Sequence, residues 1–538
     1  MNSIDIMKPE VLPSDINILK DLIIEQKATI IKLEDRIKVY EHKLFGKKSE
    51  KCTNEEENQK YLFNEAELEI DEEKKETESE TKEEVITVPE HTRKKTSSNK
   101  FPPDLPRKII IHDLAADEKI CKCCNKERPC IGSDITERVE IIPQQIIIEE
   151  HRYLKYAECN YEACKINTEK ETVINTEKEQ KIIQAPREPR LLPKTNVSEG
   201  LLAYLMVCKF CDSLPFYRME KILLRSGINI SRSEMCNWTI KISRTCQDLL
   251  ELMWNHVRAG PFIQMDETIF QVLKEPGRAA ELKSYMWLTI GYKDMKPIVI
   301  YHYHPSRSKE IPLHVLKGFS GYLQTDGYAG YNNIGASEGI IHVGCFAHAR
   351  RYFFEALKAS ANNKSANEGL SLINNIFSIE KKLRIELDSE IITKEEFVEK
   401  RKEESMPILK KLNNWLIKKN TTVLPKSALG KAVNYSLNEW DKMIKYLDAW
   451  FLTPSNNNSE NKIRPFVVGR KNWLFAVTPS GAHASATIYS LIETAKANNL
   501  DPYKYLKYIF KKIPSVTTEF EKELLLPINL TAEIINDN

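Results

Sequence analysis

The sequence predicts a multidomain α+β protein: an N-terminal coiled coil, a small β-rich module, a helical region, and an α/β core interrupted by an all-helical insertion. Three observations carry this prediction. Apolar residues recur at heptad spacing near the start, two close cysteine pairs bracket a β-rich stretch, and short apolar strands cluster between residues 261 and 343 before the pattern turns helical. A chain of 538 residues has room for about three or four such domains. It holds no run of eighteen apolar residues and no basic segment followed by an apolar one at its start, so a soluble, cytoplasmic protein with no membrane partner is expected. The net charge of +2 hides an asymmetry: Glu50 to Val85 holds fifteen acids against five lysines, leaving +12 on everything else. A basic body suits a polyanionic partner.

Leu19, Ile23, Gln26, Ile30, Leu33, Ile37, Tyr40 and Leu44 follow a strict 4,3 spacing, which is a coiled-coil seam over residues 14–45 and predicts a homodimer. A single amphipathic helix packed on its own body would show the same short repeat. The acidic stretch and the Lys/Ser/Pro-rich HTRKKTSSNKFPPDLP then read as a linker over 46–104.

In the module over 105–170, Cys121-x2-Cys124 is followed, thirty-four residues on, by Cys159-x4-Cys164. Two such knuckles suit tetrahedral, structural zinc, whose binding would also help so small a module to fold. Cys123 and Cys130 compete as ligands, and a group of reduced cysteines without metal is the other reading of the same residues.

Over 190–258 the pattern is helical. PFYRMEKILLRSGINISRSEMCNW reads as helix, turn at Gly227, N-cap at Ser231, helix, a helix-turn-helix shape with Arg225 and Arg232 near the junction. Helix pairs of this kind also occur in ordinary cores. A core over 259–500 follows, with strands at PFIQMDETIF, SYMWLTIGY, PIVIYHY, GYLQTDGY and IIHVGCF, a helical insertion over about 360–450, and a helical tail over 501–538.

The chemistry-bearing residues of that core are acids. Asp266 and Asp326 stand at the ends of two expected strands, and Glu460 at an expected helix start with Arg464 one turn later on the same face. Three carboxylates can hold two magnesium or manganese ions. Among 77 acids, spacing alone does not single these three out. Arg464, Arg470 and Lys471 are expected to flank Glu460 and meet phosphates, Trp473 to fill the core or stack on a base, and Cys345 to pack at a strand end. His348 reads equally as functional or structural.

KLFGKKSEK, HDLAADEKICKCC, QAPREPRLLPK, YRMEKILLRSGINISRSEMCNW, QMDET, LQTDGYAGYN, GCFAHARRYFFEA, NNNSENKIRPFVVGRKNWLF and IYSLIETAKANNLDP resemble, in that order, segments of the transposases of the insertion-sequence-66 family of bacterial mobile elements. The resemblance implies a leucine-zipper-like N-terminus, a zinc-binding domain, and a DDE catalytic domain of ribonuclease H-like fold with a helical insertion. It implies Asp266, Asp326 and Glu460 as the metal-binding triad, and His348 and Arg351 as contacts to DNA. It further implies cleavage and transfer of strands at terminal inverted repeats, in the bacterial nucleoid, with two small accessory proteins as possible partners. Two positions depart from the family's pattern: Ser455 where an acid usually opens D-N-N-x-x-E, and the wider Cys159/Cys164 knuckle. The alternative function is a catalytically silent, transposase-derived DNA-binding regulator, against which three intact acids argue. A ribonuclease acting on RNA–DNA hybrids is a third reading.

Overall fold

The computed structural model describes residues 146–157, 182–360 and 363–536. They fall into two compact units, one ending at Ala185 and one beginning at Pro186. In the first, strands β1 (Lys155–Ala157) and β2 (Ile182–Gln184) pair antiparallel. The coiled-coil seam and all four proposed zinc cysteines lie outside the described residues.

The second unit opens with four helices: α1 (Glu199–Phe210), α2 (Phe216–Arg225), α3 (Arg232–Thr245) and α4 (Gln247–Ala259). The expected turn between α2 and α3 is present. Gly227 adopts φ 80°, a left-handed conformation that favours glycine. Ser231 and Glu234 form a capping box that starts α3. Arg225 and Arg232 are exposed at this junction, whereas one face of α3, with Trp238, Thr239, Ile242 and Ser243, is buried and anchored by Ser243, which donates to Thr487 at 2.8 Å.

Strands β3 (Phe262–Val272), β4 (Lys283–Lys293), β5 (Lys296–His304), β6 (Gly321–Gln324) and β7 (Ile340–Val343) form a sheet in the order β5-β4-β3-β6-β7, with the short β8 (Phe475–Ala476) beside the far end of β3. The β3-β4-β5 meander is antiparallel, and β6 and β7 run parallel to β3. Met265, Phe270, Met286, Leu288, Ile298 and Ile300 on these strands are buried. Edge strand β5 is closed by α10 (Pro479–Ala497): Thr494 accepts from the Val299 N–H at 3.0 Å, and Ser490 accepts from the Tyr301 N–H at 2.8 Å. Small and hydroxylic residues on α10 let the helix come close enough to satisfy an edge that would otherwise recruit another strand.

After β7, helix α5 (Phe346–Ala359) leads into a helical block: α6 (Lys364–Asp388), α7 (Lys394–Asn420) and α8 (Ala428–Asn438). It shares with α5 an apolar core of its own, including Phe353, Ile373, Ile376, Leu412, Leu416 and Val433. The chain then returns to the sheet through α9 (Asn457–Trp473), and α11 (Pro502–Lys512) packs in the main core. Among the described residues, no helix is long and apolar enough to cross a membrane.

Candidate functional site

In the parallel half of the sheet Gln264 lies opposite Gln324, and their side chains are hydrogen-bonded at 2.9 Å. Residues two apart on a strand share a face, so the same register carries Asp266 and Asp326 forward side by side. Asp266 was expected at a strand end, but it lies in the middle of β3, which continues to Val272 because β4 pairs with it throughout. What ends there is the parallel neighbour β6, at Gln324.

Glu460 reaches the same place through the SNNNSE segment. Asn456 docks that segment twice: its N–H donates to Cys345 Sγ at 3.2 Å and its side chain donates to the Met265 carbonyl at 3.1 Å. Asn458 donates to Gln264 at 2.8 Å, and the Phe346 N–H donates to the Pro454 carbonyl at 2.8 Å. Glu460, in the first turn of α9 and only 5% exposed, is thereby placed where its charge acts on Asp266. Cys345 is buried at the end of β7 as expected, and its acceptor role explains why it must sit there.

The acids are electrostatically unhappy together. Burial pushes the Asp266 carboxyl well above its usual range, and Glu267, Asp326 and Glu460 push it further. Burial raises Asp326 as well, against the pull of the Tyr328 N–H, which donates to Oδ1 at 3.0 Å, and of Arg307 and Arg351. Hard oxygen donors of this kind have the chemistry that magnesium and manganese take. At the same time Glu460 is engaged elsewhere: Arg351 Nη2 donates to it at 3.1 Å and His348 Nε2 lies 3.5 Å away. Burial pulls His348 down to about 4, so it is neutral at pH 7. Among the described residues, no three His, Cys, Asp or Glu side chains form a metal-holding group.

Glu267 escaped the sequence reading. Its side chain is almost fully buried, Tyr331 donates to it, and Arg307 Nε donates to it at 2.7 Å. The Arg307 guanidinium also stacks 3.6 Å from the Tyr328 ring centroid, and Tyr328 donates back to the Arg307 carbonyl at 2.8 Å. Arg307 therefore ties the Asp266–Glu267 pair to the loop that carries Asp326. The tyrosines of DGYAGY were the available signal, but nothing in their spacing pointed to Arg307.

The basic residues divide. Arg351 and His348 contact Glu460, and Arg464 follows it by one helical turn. Arg470 and Lys471 lie ten and eleven residues further along α9, or about 15 Å, and so do not flank Glu460. Arg470 instead donates to Thr268 at 3.2 Å, and burial lowers its pKa. Trp473 belongs to the core, edge-on to Phe270 and Phe466 at 5.5 and 5.4 Å.

A mixed sheet with Asp266 and Asp326 in its parallel half is followed by a helical block and by Glu460 on the helix that returns to it. Sequence comparison identifies a DDE transposase domain. Residues 194–484 match the Transposase IS66 family, and the chain belongs to that family. Residues 490–528 match the IS66 C-terminal element, 32–110 the Transposase C of IS166 homeodomain, and 118–159 the zinc-finger binding domain of transposase IS66. The last span includes Cys121, Cys124 and Cys159 and stops short of Cys164. Similar proteins include two from Sinorhizobium fredii (strain NBRC 101917 / NGR234). Uncharacterized protein y4qI is 28% identical over 439 residues, 79% of this chain and 76% of the relative. Uncharacterized protein y4jD is 27% identical over 445 residues, 80% of this chain and 82% of the relative.

Proposed function

We propose that the chain binds the terminal inverted repeats of its own insertion sequence and catalyses DNA strand cleavage and transfer there, with Asp266, Asp326 and Glu460 as the residues that hold two divalent cations. The observation that carries this reading is the nearness of Asp326 and Glu460 to Asp266, whose carboxyl is raised first by burial and further by the charges of Glu267, Asp326 and Glu460. Their chemistry fits magnesium or manganese, and occupancy requires Glu460 to exchange its Arg351 contact for the cation. The bound metals would activate a water or a 3′-hydroxyl and stabilise the leaving oxygen. The strand order, an antiparallel meander flanked by two parallel strands, is the one expected of a ribonuclease H-like core. In this reading Asn456 and Asn458 hold Glu460 in register with β3, Arg307 holds the Asp326 loop against Glu267, and Arg351, freed from Glu460, meets the DNA backbone together with His348 and Arg464. The exposed face of α2 and α3 and the zinc module, held by Cys121, Cys124, Cys159 and Cys164, read the DNA ends. The N-terminal coiled coil pairs two copies.

Metal-dependent nicking of a labelled duplex carrying the element's own end tests this. The intact chain nicks in magnesium or manganese, and Asp266→Asn lowers the rate by roughly 10³-fold or more with end binding retained. The Arg351–Glu460 pair favours one rival, a catalytically silent DNA-binding regulator. Binding without nicking, even with the element's small accessory proteins added, would establish that rival.

A further inference from the structure

The helical insertion sends one side chain to the Asp326 loop. Tyr435, on α8, lies so close to Gly327 that a Cβ at that glycine would collide with ring atom Cε2 and stand 3.0 Å from the hydroxyl oxygen. On its other side the ring tilts against Tyr352 of α5, centroids 4.9 Å apart, next to Arg351. The hydroxyl is buried and has no hydrogen-bond partner. Burial raises its pKa far above the ordinary value, with Cys345, Glu439 and Asp326 adding to the effect, so it remains a protonated donor. The other tyrosines around the acids are committed: Tyr331 to Glu267, Tyr328 to the Arg307 carbonyl, and Tyr292 to the Gln264–Asn458 pair.

A buried hydroxyl without a partner is a standing cost to a fold. A donor beside a carboxylate that holds a metal is, by contrast, a recurrent device, because it orients the ligand oxygen and tunes its basicity. We infer that Tyr435 is a positioning residue for the cation site: when Asp326 takes up its ligand orientation, the Tyr435 hydroxyl donates to its carboxylate. The insertion thus completes the metal site that the sheet begins, and Gly327 is the position that admits the ring. This inference rests on the assignment of Asp326 as a metal-holding residue.

The test is titration of the full-length, metal-free protein with Mn2+, followed by calorimetry or the loss of the free-ion paramagnetic signal, with thermal unfolding measured alongside. Tyr435→Phe keeps the ring and removes only the hydroxyl. It is expected to weaken Mn2+ binding by about tenfold with an unchanged or slightly raised Tm, and Gly327→Ala, which displaces the ring, to weaken binding as well. Asp326→Asn serves as the reference. If Asp326→Asn abolishes binding while Tyr435→Phe binds Mn2+ as the parent does, Tyr435 only fills space and the inference is overturned. If Asp326→Asn binds Mn2+ normally, or the parent binds none, the site assignment falls and the inference falls with it.

Discussion

Two buried charge clusters, one in the sheet domain and one in the helical insertion, follow opposite rules. In the insertion, fully buried Arg401 donates to Glu380 at 2.8 Å and to the carbonyls of Tyr446, Ala449 and Leu452 at 2.6, 2.9 and 3.0 Å. Arg384 adds a second donor to Glu380 at 2.9 Å. Within this ion pair Arg401 Nε and Glu380 Oε2 are left without hydrogen-bond partners. The sheet cluster of Asp266, Glu267, Asp326 and Glu460 has two arginines at its rim and none at its centre, and burial together with like charge raises Asp266. A cluster neutralised from within is a structural clasp, whereas a cluster of mutually repelling acids is, in the proposed function, the place for a cation. Both matter to the same segment, because Leu452, held by Arg401 and Arg384, lies just upstream of the SNNNSE turn that places Glu460.

The comparison breaks most visibly at Arg401. Arg401→Met leaves Glu380 buried with Arg384 as its single cationic partner and the Tyr446 and Ala449 carbonyls without the Arg401 donor, and should cost about 3–5 kcal/mol in urea unfolding. The double change Glu380→Leu/Arg401→Met should recover much of that loss, because the ion pair would no longer be half present. Asp266→Asn should move the other way in metal-free buffer. Removing one of four crowded acids is expected to raise Tm by about 2–4 °C, or roughly 1 kcal/mol, and no gain would mean that the acids are already relieved without a cation. Arg351→Gln sharpens the contrast at the rim. Freed from its ion pair, Glu460 should join the cation site more readily and tighten Mn2+ binding by about fivefold, the equivalent of roughly 1 kcal/mol for a partly exposed pair.

At pH 7 the smallest effect concerns a buried group that stays neutral. His302 lies between Trp287 and Trp254, with no hydrogen-bond partner on either ring nitrogen, and His304 and His483 are the titratable groups acting on it. Burial pulls its pKa down to about 3 from the ordinary 6.5. Because the unfolded chain takes up the proton first, His302 leaves stability intact above pH 6.5 and erodes it as pH falls toward 3. The slope is at most about 1.4 kcal/mol per pH unit. His302→Leu should flatten that part of the Tm–pH curve.

Much of the core was legible from local pattern. β-branched and aromatic runs bounded by turns marked β3 to β7, Ser231 with Glu234 marked the start of α3, and apolar spacing marked the insertion helices, because each signal is local and repeats with a fixed period. Asp266 was placed at the end of a short first strand, FIQMDET. β3 goes on because its partner β4 is as long as it is, which only pairing reveals. Arg470 and Lys471 were grouped with Glu460 by proximity in sequence, and the 1.5 Å rise of a helix separates them from it. Arg307, Glu267 and Tyr435 gave no signal, since a loop arginine, one acid beside another, and a tyrosine among insertion helices look like ordinary surface and core residues until the chain folds.

By itself, then, the sequence determined which residue types could act and in what order: three acids, a basic body, a glycine turn, and family motifs in series. Those properties depend on composition and short-range spacing. Tertiary structure alone decided that Asp266 and Asp326 share a register through the Gln264–Gln324 pair, that Glu460 rests against Arg351, and that an insertion tyrosine packs on Gly327. Each of these is a contact between segments far apart in the chain, set by strand pairing, helix docking and the desolvation of charge, and no local spacing encodes it.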